Sequence, residues 1–148
     1  MLALSKYYLY FFLCCLIFTI VSGMIAPMIP NAIAQGFIAV PYIIAMITVL
    51  YIFLKQQGRA PTQPERLRLA FGYTFVLALF NIIGVVLGLY VFAQQDPQIW
   101  QDFLIYIQNQ QFLMIILAMA LVYAVTFFLI TYWFHGKQAQ RMANKMFG

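Results

Sequence analysis

The chain has 148 residues, of which 66% are hydrophobic and only 7% are charged, and its formal net charge is +5. About a quarter of the residues in an ordinary soluble domain are charged, so this composition excludes that class and indicates a membrane protein. We assign the positive charge to membrane topology and to contact with an anionic leaflet, and we expect no nucleic acid as a partner.

Four stretches are long and apolar enough to cross a bilayer as helices, which takes about 20 residues each. They are residues 7–25, 36–54, 69–92 and 112–134, and none of them contains Asp, Glu, Lys, Arg or His. Because each run is continuously apolar and does not alternate, it predicts helices and not the strands of a barrel. We therefore expect one all-α membrane domain over residues 1–148, an antiparallel bundle of four transmembrane helices.

The Lys and Arg residues all fall on one side of these four segments. They are Lys6, before the first segment; Lys55, Arg59, Arg66 and Arg68, between the second and the third; and Lys137, Arg141 and Lys145, after the fourth. Short loops that are rich in Lys and Arg stay in the cytoplasm. We therefore expect both termini to be cytoplasmic.

The first segment has a second interpretation, as a cleaved signal sequence. Lys6 precedes the apolar run, and Val21-Ser22-Gly23 is a candidate cleavage site. The run is long for the apolar part of a signal sequence, and neither small-residue position is Ala. We therefore expect the first helix to remain uncleaved.

Two connections carry signals for helix starts. Thr62-Gln63-Pro64-Glu65 fits a capping box, which predicts that the third helix begins near Gln63. Asp96-Pro97 predicts another start, and apolar residues follow it at helical spacing. These apolar residues are Ile99, Trp100, Phe103 and Leu104. We expect a short amphipathic helix in the membrane interface between helices three and four, which either seals the bundle or docks an extracytoplasmic partner.

The tail after the fourth segment carries cations and apolar residues at helical spacing. Lys137, Arg141 and Lys145 recur every four residues. The apolar stripe consists of Ala139, Met142, Ala143 and Met146. This pattern predicts a basic amphipathic turn or two that contacts the inner leaflet through its three cations.

Small or weakly polar residues recur at helical spacing inside the segments and predict the helix-packing faces, because lipid supplies no hydrophobic force between helices. The packing residues that we single out are Ser22, Asn81, Gly84, Gly88, Ala120 and Ala124. Gly84 and Gly88 form a GxxxG motif, which we interpret as an internal packing face, with a dimer face as the alternative. Asn81 is expected to face the bundle and to form structural hydrogen bonds, with a ligand or pore contact as the alternative.

No set of residues in the chain requires a particular chemistry. Cys14 and Cys15 are the only cysteines, and as neighbours on a helix they cannot form a normal disulfide with each other. His135 is the only histidine, and we expect it to be a polar end-group at the inner interface. No Asp, Glu, Lys, Arg or His lies inside a segment, where ion coupling would need one. We therefore predict no catalytic residues, no cofactor, no metal site and no enzymatic activity.

Three stretches of the sequence resemble a family of small, uncharacterised four-span bacterial inner-membrane proteins. They are Arg59-Ala60-Pro61-Thr62-Gln63, Asp96-Pro97 with Ile99-Trp100-Gln101, and Thr131-Tyr132-Trp133 through Gly136-Lys137-Gln138-Ala139-Gln140-Arg141-Met142. The resemblance extends over nearly the whole chain. It implies a location in the bacterial inner membrane and implies no activity.

These observations predict an integral inner-membrane protein that acts as a non-catalytic accessory, assembly or scaffold subunit. Its expected partners are the lipid bilayer and either another membrane protein or further copies of itself as a homo-oligomer. The alternative function is a small oligomeric transporter or channel for a small molecule or a lipid.

Overall fold

The computed structural model describes residues 2–148, with the side chains from residue 4 onward. The structure is 91% helical, and the described residues form no strand. Four of its helical segments are long and apolar enough to cross a membrane: Leu4–Met28, Asn31–Gln57, Gln63–Gln95 and Gln110–Phe147. The prediction of an all-α, four-span protein is confirmed in these terms.

Seven α-helices follow one another along the described chain. They are α1 (Leu2–Ile25), α2 (Asn31–Phe37), α3 (Val40–Gln57), α4 (Gln63–Gln95), α5 (Gln98–Gln108), α6 (Gln110–Trp133) and α7 (Ala139–Phe147). A 3₁₀ turn, Ala26–Met28, follows α1, and a π-helical turn, Phe134–Gln138, joins α6 to α7. All four predicted spans are present, and each extends beyond the bounds that the apolar runs suggested.

The break between α2 and α3 makes the second span discontinuous. The N–H of Ala39 bonds to the carbonyl of Gly36 at 3.3 Å, a three-residue turn that interrupts the α-helical pattern. Pro41 lies in the first turn of α3, where its missing N–H costs no intrahelical hydrogen bond. Pro41 therefore starts α3 after the interruption and does not kink a continuous helix.

The connection between α3 and α4 is ordered by local capping. Gly58 ends α3 with φ 64°, a left-handed conformation that glycine adopts without strain. Its N–H donates to the carbonyl of Leu54 at 2.8 Å. The Glu65 carboxylate accepts from the Thr62 N–H at 2.8 Å, and the predicted capping box is present. Arg59 donates to both Glu65 oxygens at 2.8 Å, and this raises the pKa of its guanidinium. The predicted start of the third helix at Gln63 is confirmed.

Helix contacts place the cations at a single end of the bundle. α1 packs against α3 and α4, α4 packs against α6, and α7 reaches α3. Tyr7 on α1 donates to Gln56 at 3.0 Å, and Tyr8 donates to the carbonyl of Arg68 at 3.0 Å. Arg66 donates to the carbonyl of Tyr132 at 3.0 Å. These contacts bring the start of α1, the α3–α4 connection and the end of α6 together, and we call this the cationic end.

The packed core lies toward the cationic end. Its buried residues include Tyr7, Phe11 and Cys15 of α1, Val49 and Phe53 of α3, Leu69, Tyr73 and Leu77 of α4, and Phe127 of α6. The rings of Phe11 and Tyr73 stack with their centroids 4.5 Å apart. No residue of α4 after Leu77 is buried, and none of α6 before Phe127 is buried. The distal halves of α4 and α6 therefore present apolar surface that this chain does not cover.

Candidate functional site

A groove runs between the distal halves of α4 and α6 and has a volume of about 490 Å³. It is lined by Thr74, Leu77, Ala78, Asn81 and Ile82 of α4, and by Ile116, Met119, Ala120, Tyr123 and Ala124 of α6. Three residues that the sequence assigned to packing, Asn81, Ala120 and Ala124, are brought together in its walls. The small side chains leave the groove open where larger ones would close it.

Asn81 supplies the carboxamide of this groove. Its Nδ2 donates to the carbonyl of Leu77 at 2.8 Å, one turn earlier on the same helix. This is the only hydrogen bond of the Asn81 side chain within the described part of the chain, so its Oδ1 accepts from no protein donor there. An unpaired amide oxygen is costly in an apolar environment. The groove therefore presents an unused hydrogen-bond acceptor.

The GxxxG pair lies further along α4 and is not packed against the rest of this chain. No atom of another segment lies within 4 Å of a Cβ built at Gly84 or at Gly88. The internal packing that we predicted for these two glycines is therefore not formed, because none of the other helices reaches this side of α4. The dimer-face alternative remains a prediction.

Ser22 lies at a smaller hollow of about 200 Å³ between α1 and the α2–α3 segment. The hollow is lined by Thr19, Ser22, Gly23, Ala26, Ala34, Phe37, Ile38, Pro41 and Tyr42. The Thr19 hydroxyl is buried and has no hydrogen-bond partner among the described residues. The small residues of α1 thus meet the start of α3, although the two surfaces leave a gap.

The residues predicted for partner docking form part of α5, which contacts both α4 and α6. Asp96 accepts from the N–H of Gln98 at 3.0 Å, and α5 begins at Gln98, one residue later than a start with Pro97 in the first helical position would give. Ile99 and Phe103 are half-buried, whereas Trp100 and Leu104 are 46% and 41% exposed. Exposed apolar side chains are therefore present on α5, and its position in a membrane interface remains a prediction.

The tail cations Lys137, Arg141 and Lys145 are all exposed. The apolar stripe beside them packs against protein, whereas the prediction was a turn that lies on the inner leaflet. Ala139 is fully buried against Leu50 and Leu54 of α3, with Met142 and Ala143 partly buried in the same cluster. The tail therefore continues α6, and its apolar face packs on Leu50 and Leu54 of α3.

His135 is buried, which corrects the expectation of a polar end-group at the interface. Its side chain is 1% exposed, and its Nδ1 lies 2.9 Å from the carbonyl oxygen of Thr131. A carbonyl oxygen only accepts, so Nδ1 carries the proton and Nε2 is an acceptor in the neutral ring. The π-helical turn contains His135 and packs against α4, which brings the ring next to Tyr73 with the centroids 5.4 Å apart.

Arg66 covers the π turn from the side of α4. Its guanidinium lies over the ring of Tyr132, 4.3 Å from the ring centroid, and donates to the backbone carbonyl of the same residue. It also occupies the place where a side chain at Gly136 would stand. The cation–π contact and the hydrogen bond together hold this cation against the helix end.

Four buried polar atoms around these residues have no hydrogen-bond partner among the described residues. They are Arg66 Nε, Tyr73 OH, Thr131 Oγ1 and His135 Nε2. Each of them is a donor or an acceptor that is costly to bury without a partner. Sequence analysis missed this polar cluster, and the spacing of Thr131 and His135 on one helical face, beside a glycine, was the signal that could have indicated it.

Among residues 2–148, no group of three or more His, Cys, Asp or Glu is arranged to hold a metal ion. Cys15 is buried and Cys14 is half-buried, and both are free thiols. Comparison with family models, with curated proteins and with solved structures gives no match for the chain.

Proposed function

We propose that the chain is a multi-pass protein of the bacterial inner membrane that acts as a non-catalytic accessory, assembly or scaffold subunit. In this proposal a transmembrane helix of its partner packs along the distal halves of α4 and α6. The observation that supports it is the uncovered surface formed by the groove at Asn81 and by the open GxxxG pair.

The physical reason concerns the polar and small residues on that surface. In hydrocarbon, the free Oδ1 of Asn81 lacks the hydrogen bond that water would provide, and a partner side chain that donates to it removes this cost. Gly84 and Gly88 have open space above them, so a second helix can approach the α4 backbone closely. An apolar lipid chain supplies neither the donor nor the complementary shape.

The membrane side follows from the cations. All eight Lys and Arg residues lie in or beside the segments that meet at the cationic end. We propose that this end faces the cytoplasm, where short Lys- and Arg-rich loops are retained, and that α5 lies on the outer side. Trp100 and Leu104 on α5 then face any extracytoplasmic partner.

The test is purification of the chain from native membranes in a mild detergent, followed by identification of what co-migrates. The informative variant is Gly84→Leu with Gly88→Leu, which folds because both positions have open space, but which blocks close helix approach. Gly23→Leu is the matched control, since Gly23 is equally open and lies on α1. We expect the double variant to lose the partner and the control to retain it. A monodisperse, partner-free monomer from the unaltered chain would overturn the proposal.

The second candidate function, a small oligomeric transporter or channel, is favoured by the groove that contains Asn81. Proteoliposomes that hold the purified chain and are loaded with a small fluorescent dye or a fluorescent lipid distinguish the two functions. A flux that Asn81→Leu abolishes supports transport. If the flux equals that of empty liposomes and Asn81→Leu loses the co-purifying partner, the accessory function is supported.

A further inference from the structure

A second groove lies at the cationic end, between α1 and α4, and shares no lining residue with the groove at Asn81. Its volume is about 610 Å³. It is lined by Leu4 and Tyr8 of α1, and by Leu67, Arg68, Phe71, Gly72, Phe75 and Val76 of α4. Among the described residues of this lining, Arg68 is the only charged one, and it lies at the cationic end of the groove.

The shape of this groove follows from helical spacing. Leu67, Phe71 and Phe75 recur every four residues and form one wall along α4. Leu4 and Tyr8 form the opposite wall on α1 with the same spacing. The distance along α4 from Arg68 to Val76 is about 12 Å at about 1.5 Å per residue. The groove is therefore an apolar channel that extends from the cation of Arg68 along α4 for about this distance.

Tyr8 of the α1 wall also contacts α4 directly, at Gly72. The ring of Tyr8 lies directly on Gly72, at the position that any side chain there would occupy. The Tyr8 hydroxyl donates to the carbonyl of Arg68 at 3.0 Å, which fixes the ring across the gap between the two helices. Beside this ring, Phe71 and Phe75 are 62% and 70% exposed, and the Phe71 ring also contacts Phe128 of α6 with the centroids 4.8 Å apart.

The charge of Arg68 is not neutralised by the protein. Arg59 and Glu65 form the ion pair of the α3–α4 connection, and no carboxylate among residues 4–148 lies within 4.0 Å of the Arg68 guanidinium. A guanidinium presents several N–H donors in a fork that matches the oxygens of a phosphate group. An uncompensated arginine at the mouth of an apolar channel is thus complementary to a molecule with an anionic head and a long apolar chain.

We propose that this groove binds an anionic phospholipid from the leaflet that meets the cationic end. The phosphate group lies on Arg68, and one acyl chain lies along the channel between the Leu4–Tyr8 wall and the Leu67–Phe75 wall. The assignment depends on the groove, on the unpaired cation and on the membrane-spanning length of α4, and it does not depend on which partner the chain has or on which side of the membrane this end lies.

The test is native mass spectrometry of the purified full chain after incubation with phosphatidylglycerol or with phosphatidylethanolamine of the same acyl chains. We expect phosphatidylglycerol to be retained roughly fivefold to tenfold more, which is the contribution of one well-placed arginine near a membrane surface. Arg68→Gln should reduce retention of phosphatidylglycerol to the level of phosphatidylethanolamine. Arg141→Gln is the matched control, because Arg141 is also an exposed cation at the same end and lies outside the groove.

A second pair of variants separates the groove from general surface charge. Phe75→Ala removes one side chain of the α4 wall. Because Phe75 is exposed, we expect the fold to be preserved and the retention of phosphatidylglycerol to fall. Phe92→Ala is its control, because Phe92 is similarly exposed on the same helix and lies far from the cationic end. Equal retention of the two lipids by the unaltered chain, or equal effects of Arg68→Gln and Arg141→Gln, would overturn the proposal. If Phe75→Ala and Phe92→Ala change the retention of phosphatidylglycerol equally, the proposed position of the acyl chain is overturned.

Discussion

The guanidinium of Arg66 occupies the position that a Cβ at Gly136 would take, so any larger residue there would overlap it. The contact joins the first turns of α4 to the π turn that follows α6. A guanidinium at the end of a flexible side chain moves easily in general. Here it is held by the carbonyl and the ring of Tyr132, so displacing it costs both interactions.

We therefore expect Gly136→Ala to lower the free energy of unfolding by about 1–3 kcal/mol, the range for one charged hydrogen bond with a cation–π contact. The measurement is unfolding of the purified chain in a mild detergent. Gly23→Ala is the control, and it should be neutral or stabilising because its new methyl group meets no other atom. If Arg66→Ala and Gly136→Ala prove additive in the double variant, the contact between them is not the cause.

Thr131→Val tests the unpaired polar cluster. The Thr131 hydroxyl is fully buried without a partner, and Val has nearly the same shape, so the substitution removes an unsatisfied group. We expect the free energy of unfolding to rise by about 1 kcal/mol or more. Thr126→Val is the control: the Thr126 hydroxyl already donates to the carbonyl of Val122 at 2.8 Å, and its loss should be neutral or slightly destabilising. Destabilisation by Thr131→Val would contradict this prediction.

Glu65→Ala tests the order of the α3–α4 connection. Glu65 accepts from the Thr62 N–H and from both terminal nitrogens of the Arg59 guanidinium, so its removal takes away the Glu65 half of the capping box and the ion pair with Arg59. We expect the free energy of unfolding to fall by about 1 kcal/mol and amide hydrogen exchange to become faster in the first turn of α4. Asp102→Ala, on the exposed surface of α5, is the matched acidic control. The same exchange rates in both variants would show that the cap contributes nothing.

The membrane side of the cationic end is tested by cysteine labelling. In a chain in which Cys14 and Cys15 are replaced, we expect Gln98→Cys on α5 to react with a membrane-impermeant maleimide added to spheroplasts. Asn144→Cys on α7 should react only after the membrane is permeabilised. Both positions are exposed, so accessibility of the side chain itself does not differ between them. The reverse labelling pattern would invert the topology that the cations predict.

The four spans and the start of α4 were predictable because they depend on local properties. A continuous apolar run specifies a membrane helix, and Thr62 with Glu65 specifies a helix start, whatever the rest of the chain does. The spacing of Thr131 and His135 places them on one helical face, but the burial of His135 also requires the π turn and the approach of α4, which no local pattern specifies. The position of Gly84 and Gly88 shows the same limit: a GxxxG motif marks a surface suited to packing, and the arrangement of the other helices decides what covers it.

The last span has a mechanical consequence. α6, the π turn and α7 form one continuous rod of 38 residues, from Gln110 to Phe147, with a length of about 55 Å. This length exceeds a hydrocarbon layer of about 30 Å by about 25 Å. Because Ala139 in the last part of the rod is buried against Leu50 and Leu54, a change in the tilt of α6 is coupled to α3.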